Sequence, residues 1–592
     1  MQKIIFISIF TLCFVASKAQ KVYEFNSTCQ QAYKEITQMK LANGIALIEK
    51  AKQQNSNNLI PILLENYVDF IVLFFNEDSN EFQKRYGKFD DRIELLKQGP
   101  QTSPFYNFCL GTAYLQKAGV NLKFDNKSRA GWEFQIGYRY IKQNKKSFPT
   151  FTPNDIFSGS IQAVVGSIPK GFKWVANLFG VKGNLKEGMQ VVTNFINSSD
   201  PWARLMNTEA TFIYCYLNFY LENKKEETIQ FIQRKKIDLI NNHLLAYMTA
   251  SLAMNSKQNE LCKSIVLNRN KSADYFQTPI WDFQLGYAYL HQLQIPDAIV
   301  HFEKYLNSFK GKLYVKDICQ KLSWCYYLQG NMAAAEATRK KILKKGGVVS
   351  DADNQALKDA KTNTWPDVSL LKARLLNDGG YNNEALSLLQ KKNNNSFSKD
   401  IEQLEYVYRL GRINDDLKKY DDAISYYSQA IALGKDNTAY YAARAALQIG
   451  MIKEKNGDIK KDIFKNLMWY VIQGGSKHYP LTIQRVKEIQ RLNAQGIQPE
   501  DLEAVEVTSS KPKEIEPQFV DVVGQISLRS LEKNDRRRRD QQRDNRNDRG
   551  NNNDRRQDYR NDRPQQQGPQ RPPQQRPTIQ KTTPPNKPDD KK

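Results

Sequence analysis

The spacing of small and aromatic residues in one short interval restricts this chain more than any other feature. The stretch is "RLGRINDDLKKYDDAISYYSQAI", from Arg409 to Ile431. Leu410 and Gly411 are followed by Tyr420, Ala423, Tyr427 and Ala430, at 10, 13, 17 and 20 residues past Leu410. Ala423, Tyr427 and Ala430 fall on one face of a helix. Gly411 and Ala423 are small enough to let two helices approach closely. "KKYDD" is expected to supply the turn, with Asp421 or Asp422 capping the second helix. The stretch holds no histidine, cysteine or serine–base pair, so its pattern serves packing rather than reaction.

This arrangement of Leu410, Gly411, Tyr420, Ala423, Tyr427 and Ala430 resembles the tetratricopeptide repeat, a helix–turn–helix hairpin that stacks into arrays. Val407 stands where the repeat's tryptophan would be. Leu285, Gly286, Tyr289, Ala298 and Phe302 repeat the scheme. Leu322, Tyr326 and Ala335 do so with Ser323 in the glycine position and Arg339 in the aromatic one. Weaker copies surround Ala385 and open at Ile449 and Gly450, where Asp462 occupies the small-residue position. The intervals vary, being 37 residues from Leu285 to Leu322 and 39 from Leu410 to Ile449. The expected fold is all-α, an irregular solenoid of helical hairpins with a disordered C-terminal tail.

Upstream, "ENYVDFIVLFFNED" reads as a buried helix, and Leu110, Gly111 and Tyr114 read as the first helix of a hairpin whose partner does not follow on time. The interval from Ser147 to Asp200 breaks the pattern with Pro169 and several glycines. Phe172, Trp174 and Phe179 cluster there with Lys170, Lys173 and Lys182. Two readings stand: an interfacial membrane contact through Phe172, Trp174 and Phe179, or an insert packed across the array. With its "GVKGNLKEGM" run and the downstream hairpins, the chain from Thr28 to Asn493 is similar to the inclusion-body-clearance, or tetratricopeptide repeat protein 39-type, family. That resemblance implies an interaction protein, working near membrane or lipid, and supplies no catalytic residue.

The first residues, "MQKIIFISIFTLCFVASKAQ", have a signal peptide's layout. Lys3 precedes an apolar run from Ile4 to Val15, and Ser17 and Ala19 put small side chains third and first before a cleavage site after Ala19. An exported chain is therefore expected, periplasmic, outer-membrane-associated or extracellular. The six remaining cysteines show no C-x-x-C pair and are expected as buried thiols. His243, His291, His301 and His478 have no metal-ligand spacing, and neither metal nor cofactor is expected.

The net charge of +24 raises nucleic acid as a partner. From Asn534 onward, however, 13 Arg and 4 Lys are interleaved with 9 Asp, and Tyr559 is the lone aromatic. Mixed charge without stacking platforms argues against nucleic acid and leaves an anionic polymer or lipid, or no partner, for the tail. The tail lacks the apolar residues that offset chain entropy.

The expected organisation is a signal peptide at 1–19, a helical region at 20–146 and a Gly/Pro-broken apolar insert at 147–200. A repeat array follows at 201–500, then a linker at 501–533 and a disordered tail at 534–592. No P-loop, G-x-S-x-G or G-x-G-x-x-G motif is present. The sequence therefore predicts a non-enzymatic, exported scaffold that holds an envelope protein in its repeat groove. The alternative is a peripheral membrane adaptor using residues 157–182 and the basic tail.

Overall fold

The computed structural model describes residues 20–168, 183–362 and 364–455, the strands β1 (Lys460–Asp462), β2 (Leu467–Val471) and β3 (His478–Thr482), and Arg491. Its body is an all-α solenoid of antiparallel, tetratricopeptide-like hairpins. The N-terminal helices are α1 (Ser27–Thr37), α2 (Leu41–Gln54), α3 (Ile60–Asn76), α4 (Ser79–Leu96), α5 (Pro104–Lys123) and α6 (Lys127–Ser147). Next come α7 (Asn154–Ser167), α8 (Leu185–Ile196), α9 (Pro201–Leu205), α10 (Asn207–Tyr216), which runs into a π-helical turn at Leu217–Leu221, and α11 (Lys225–Arg234). The array continues as α12 (His243–Asn255) with α13 (Asn259–Asn268), α14 (Ile280–His291) with α15 (Ile295–Ser308), and α16 (Val315–Leu328) with α17 (Met332–Lys344). After α18 (Asp351–Thr362), α19 (Val368–Gly379) pairs with α20 (Asn382–Gln390), α21 (Asp400–Asp416) with α22 (Tyr420–Leu433), and α23 (Tyr441–Lys455) follows.

One joint recurs between paired helices. The residue two positions before the second helix is left-handed at Met39, Glu77, Asp125, Asn223, Lys257, Leu293, Gly330, Gly380 and Lys418, with φ between 48° and 90°. At most of these joints the next N–H reaches back into the first helix, as in Gln294 N to Tyr289 O (2.9 Å) and Lys419 N to Asn414 O (2.9 Å). This bond satisfies a carbonyl that the helix end would otherwise leave free. Lys419, not Asp421 or Asp422, is the cap residue of α22, and no side chain caps it. The two aspartates sit in the first turn, where they complement the helix dipole.

Within the hairpins the small residues stand where helices cross. A methyl group on Gly411 would come within 2.6 Å of Tyr427 Cδ1, and one on Gly286 would strike the Phe302 ring. Leu285, Ala298 and Phe302 are buried in the large core. Leu410, Ala423, Tyr427 and Ala430 are buried in a second core spanning Leu370 to Ile452. The partner of α5 is α6, 21 residues long, where Gly137 and Ile141 cross Gly111. The lengthening of both helices hid this pairing from a fixed repeat spacing.

The interval 147–200, expected to break the helical pattern, contains a further hairpin, α7 with α8. Its glycines face each other: a methyl on Gly159 would meet the Gly188 carbonyl at 3.0 Å. In the "GNLKEG" run, Asn184 accepts from the N–H groups of Lys186 and Glu187 and donates to the Glu187 carboxylate at 2.8 Å. That local bonding starts α8 and explains the sequence. The array, expected to reach residue 500, gives way after α23. Ile449 and Gly450 lie on α23, but Asp462, assigned to a second helix, lies in β1 of an antiparallel sheet ordered β1–β2–β3. The segments expected as signal peptide, linker and tail lie outside the described residues.

Candidate interaction surface

The N-terminal helices lie against the first helices of the early hairpins. Tyr33 on α1 and Tyr67 on α3 both donate hydroxyl hydrogen bonds to Glu209 on α10, at 2.7 and 3.1 Å. Burial raises the Glu209 pKa, and the two hydroxyls oppose that rise. Phe75 on α3 meets Tyr247 on α12 edge to face at 5.0 Å. Gln38 and Met39, beyond α1, accept from the N–H groups of His243 and Phe276. The apolar stretch read as a buried helix is therefore α3, and it covers α10 and α12. The enclosed cavity lined by Tyr33, Tyr67, Phe105 and Trp202 measures about 10 Å³, room for no more than a water molecule.

A different surface stays open on α19 and α21. Arg374 and Asp378, one turn apart on α19, have side chains 34% and 45% exposed. The Arg374 guanidinium stands over Trp324 of α16 at 5.2 Å. Arg409 on α21 is held by Glu405, with Nη2 to Oε1 at 2.8 Å. Arg412, one turn on, is partly exposed and takes part in none of the described ion pairs. Lys257, in the α12–α13 joint, pairs with Asp416, which also accepts from Asn377 at 2.6 Å. Surrounding protein works to raise the Asp378 pKa, but Arg374, Arg409 and Lys257 outweigh it and hold the carboxyl below its ordinary range. The Lys257 pKa is lowered too, its charge disfavoured by burial and by Arg412. Tyr440, before α23, is 45% exposed, and its ring faces Tyr441 at 4.4 Å. The surface thus offers alternating cations, carboxylates and aromatic rings. Among the described residues no group of three His, Cys, Asp or Glu side chains is placed to hold a metal.

Cys29, Cys109, Cys215, Cys262, Cys319 and Cys325 are buried free thiols, with burial raising each pKa. Ala19, Phe172, Trp174 and Phe179 lie outside the described residues. The charged and aromatic surface was missed in the sequence because its members come from separate helices. The clue was the pairing of Arg374 with Asp378 and of Glu405 with Arg409 at one-turn spacing.

Comparison with known proteins adds three observations. A family model described as the YaaT C-terminal domain matches residues 459–495, an interval that includes β1, β2 and β3. No curated protein matches this chain in sequence. Solved structures similar to it include a monomeric IFIT1 mutant with m7Gppp-AAAA, at 12% identity and a TM-score of 0.27, covering 68% of this chain and 79% of that one. The Cut9–Hcn1 hetero-tetramer of APC/C is similar at 12% identity and a TM-score of 0.24, covering 72% and 89%.

Proposed function

We propose that this protein is a non-enzymatic scaffold whose partner lies along the open first-helix surface of α19, α21 and α23. One observation carries the reading: α1 and α3 cover the corresponding helices α10 and α12, whereas Arg374, Asp378, Arg412 and Tyr440 remain accessible. Helical-hairpin arrays hold extended or helical segments of other proteins along such surfaces. Mixed charge flanked by Trp324 and Tyr440 suits a polar peptide with an aromatic or aliphatic anchor.

The same proposal places the scaffold in an exported compartment, with an envelope protein as its partner. The layout of residues 1–19 supports this, as does the anchoring of the chain just past the expected cut. Val22 N donates to Asn57 O at 3.0 Å, and Leu59 N donates to Val22 O at 2.8 Å. The likeness to the inclusion-body-clearance family belongs to the proposal as well, and rests on the α7–α8 hairpin sequence. The test is photo-crosslinking in intact cells, with a photoreactive residue at Asp378 or Tyr440 and a control at exposed Lys340 on α17. Discrete adducts to the same protein from Asp378 and Tyr440, absent from Lys340, are expected. Equal labelling from all three positions, or none from Asp378 and Tyr440, would overturn the reading. Mass measurement of the mature chain, expected to begin at Gln20, tests export separately.

A further inference from the structure

We propose that the outward stripe of α6 docks the protein onto a bilayer surface carrying anionic lipid. Trp132 is 55% exposed, the most exposed large apolar side chain among the described residues. An indole of that size in water signals an environment that is not always water. Arg139, Lys142 and Lys146 follow it at seven, ten and fourteen residues, on the same helical stripe. All three are exposed and take part in none of the described ion pairs. The acidic residue of α6, Glu133, is buried and held by Lys117 at 2.8 Å and by Asn121 at 2.7 Å. Lys127 and Lys145 are spent on Asp125 and Asp155. The stripe therefore presents unneutralised cations beside an aromatic ring, with no exposed carboxylate on the helix.

Charge and ring together select the occupant. Lysine and arginine can extend to phosphate headgroups while tryptophan sits at the level where headgroup meets acyl chain. An acidic protein would answer the cations but leave Trp132 unexplained.

The proposal is independent of the scaffold reading and is tested on the full chain without its first nineteen residues. Flotation is measured with phosphatidylcholine vesicles and with vesicles containing 30% phosphatidylglycerol, a composition chosen for the assay. Binding to the anionic vesicles alone is expected, weakened by salt. Arg139→Glu with Lys142→Glu should lower it by roughly 30-fold or more, from about fivefold per basic residue near a charged surface. Trp132→Ser should lower it at constant salt dependence. Both variants alter exposed positions, and unchanged circular dichroism verifies folding. Equal binding of wild type and the double variant would overturn the proposal. Absence of wild-type binding, or equal binding to both vesicle types, would overturn it too.

Discussion

Replacing Gly411 by alanine tests the packing rule on which the solenoid is built. The new methyl would stand 2.6 Å from Tyr427 Cδ1 and 2.8 Å from Cε1, where ordinary contact begins near 3.4 Å. The ring must therefore retreat by about 0.8 Å, the difference between those two distances. It has little room, because Tyr427 is buried, faces Tyr408 at 6.1 Å and donates its hydroxyl to Asp415 at 3.2 Å. Overpacking of this kind costs about 1–3 kcal/mol. Alanine in mid-helix returns about 1 kcal/mol relative to glycine. The net expectation is a loss of about 1 kcal/mol in the opening free energy of α21 and α22. In a Tyr427→Ala background the clash is gone, and the same Gly411→Ala change should stabilise by about 1 kcal/mol. Hydrogen exchange resolved to α21 and α22 is the suitable assay, since hairpin arrays open regionally. If Gly411→Ala stabilised both backgrounds equally, the crossing of glycine against ring would not be the contact that fixes the hairpin.

Two further outcomes follow from the geometry. Gly380→Ala should loosen the seat of α19–α20 on the α12–α13 joint, because Gly380 has φ of 90° and its added methyl would collide with the Lys257 carbonyl. A loss above about 1 kcal/mol, read as faster exchange in α19 and α20, is expected; unchanged exchange would contradict it. Acidification should also weaken the fold. Burial depresses His243 and His291 to about 4, so both bind fewer protons folded than unfolded between pH 4 and 6.5. Their contribution is complete above pH 6.5 and is lost as pH falls towards 4, at about 1.4 kcal/mol per histidine per pH unit. Asp353, which burial pushes up to about 6, acts in the opposite sense between pH 4 and 6. The urea midpoint should thus fall between pH 7 and 5, and imidazoles that titrate near 6.5 would refute the argument.

The helical class and the two best hairpins were legible because their contacts are local: Gly411 meets Tyr427 only sixteen residues away. The covering of α10 by α3 was not legible, since Tyr67 and Glu209 are 142 residues apart and nothing in either segment names the other. The joints escaped for a different reason. Left-handed residues are usually sought at glycine, yet Met39, Lys257, Leu293 and Lys418 adopt this conformation with full side chains. The sheet after α23 was obscured because "LQIGMIKEKNGDIKKDIF" opens as a hairpin would. The substitution of aspartate at the small-residue position was the warning.

The contacts of α14 carry a mechanical implication. It touches α16 on one side and α19 on another, so the route through the molecule divides there. Tension entering from the C-terminal hairpins can pass by α19 straight to α14, or to α16 where the Arg374 guanidinium stands over Trp324. Two routes thus run in parallel at this junction, and loss of either contact leaves the other to join the C-terminal hairpins to the rest.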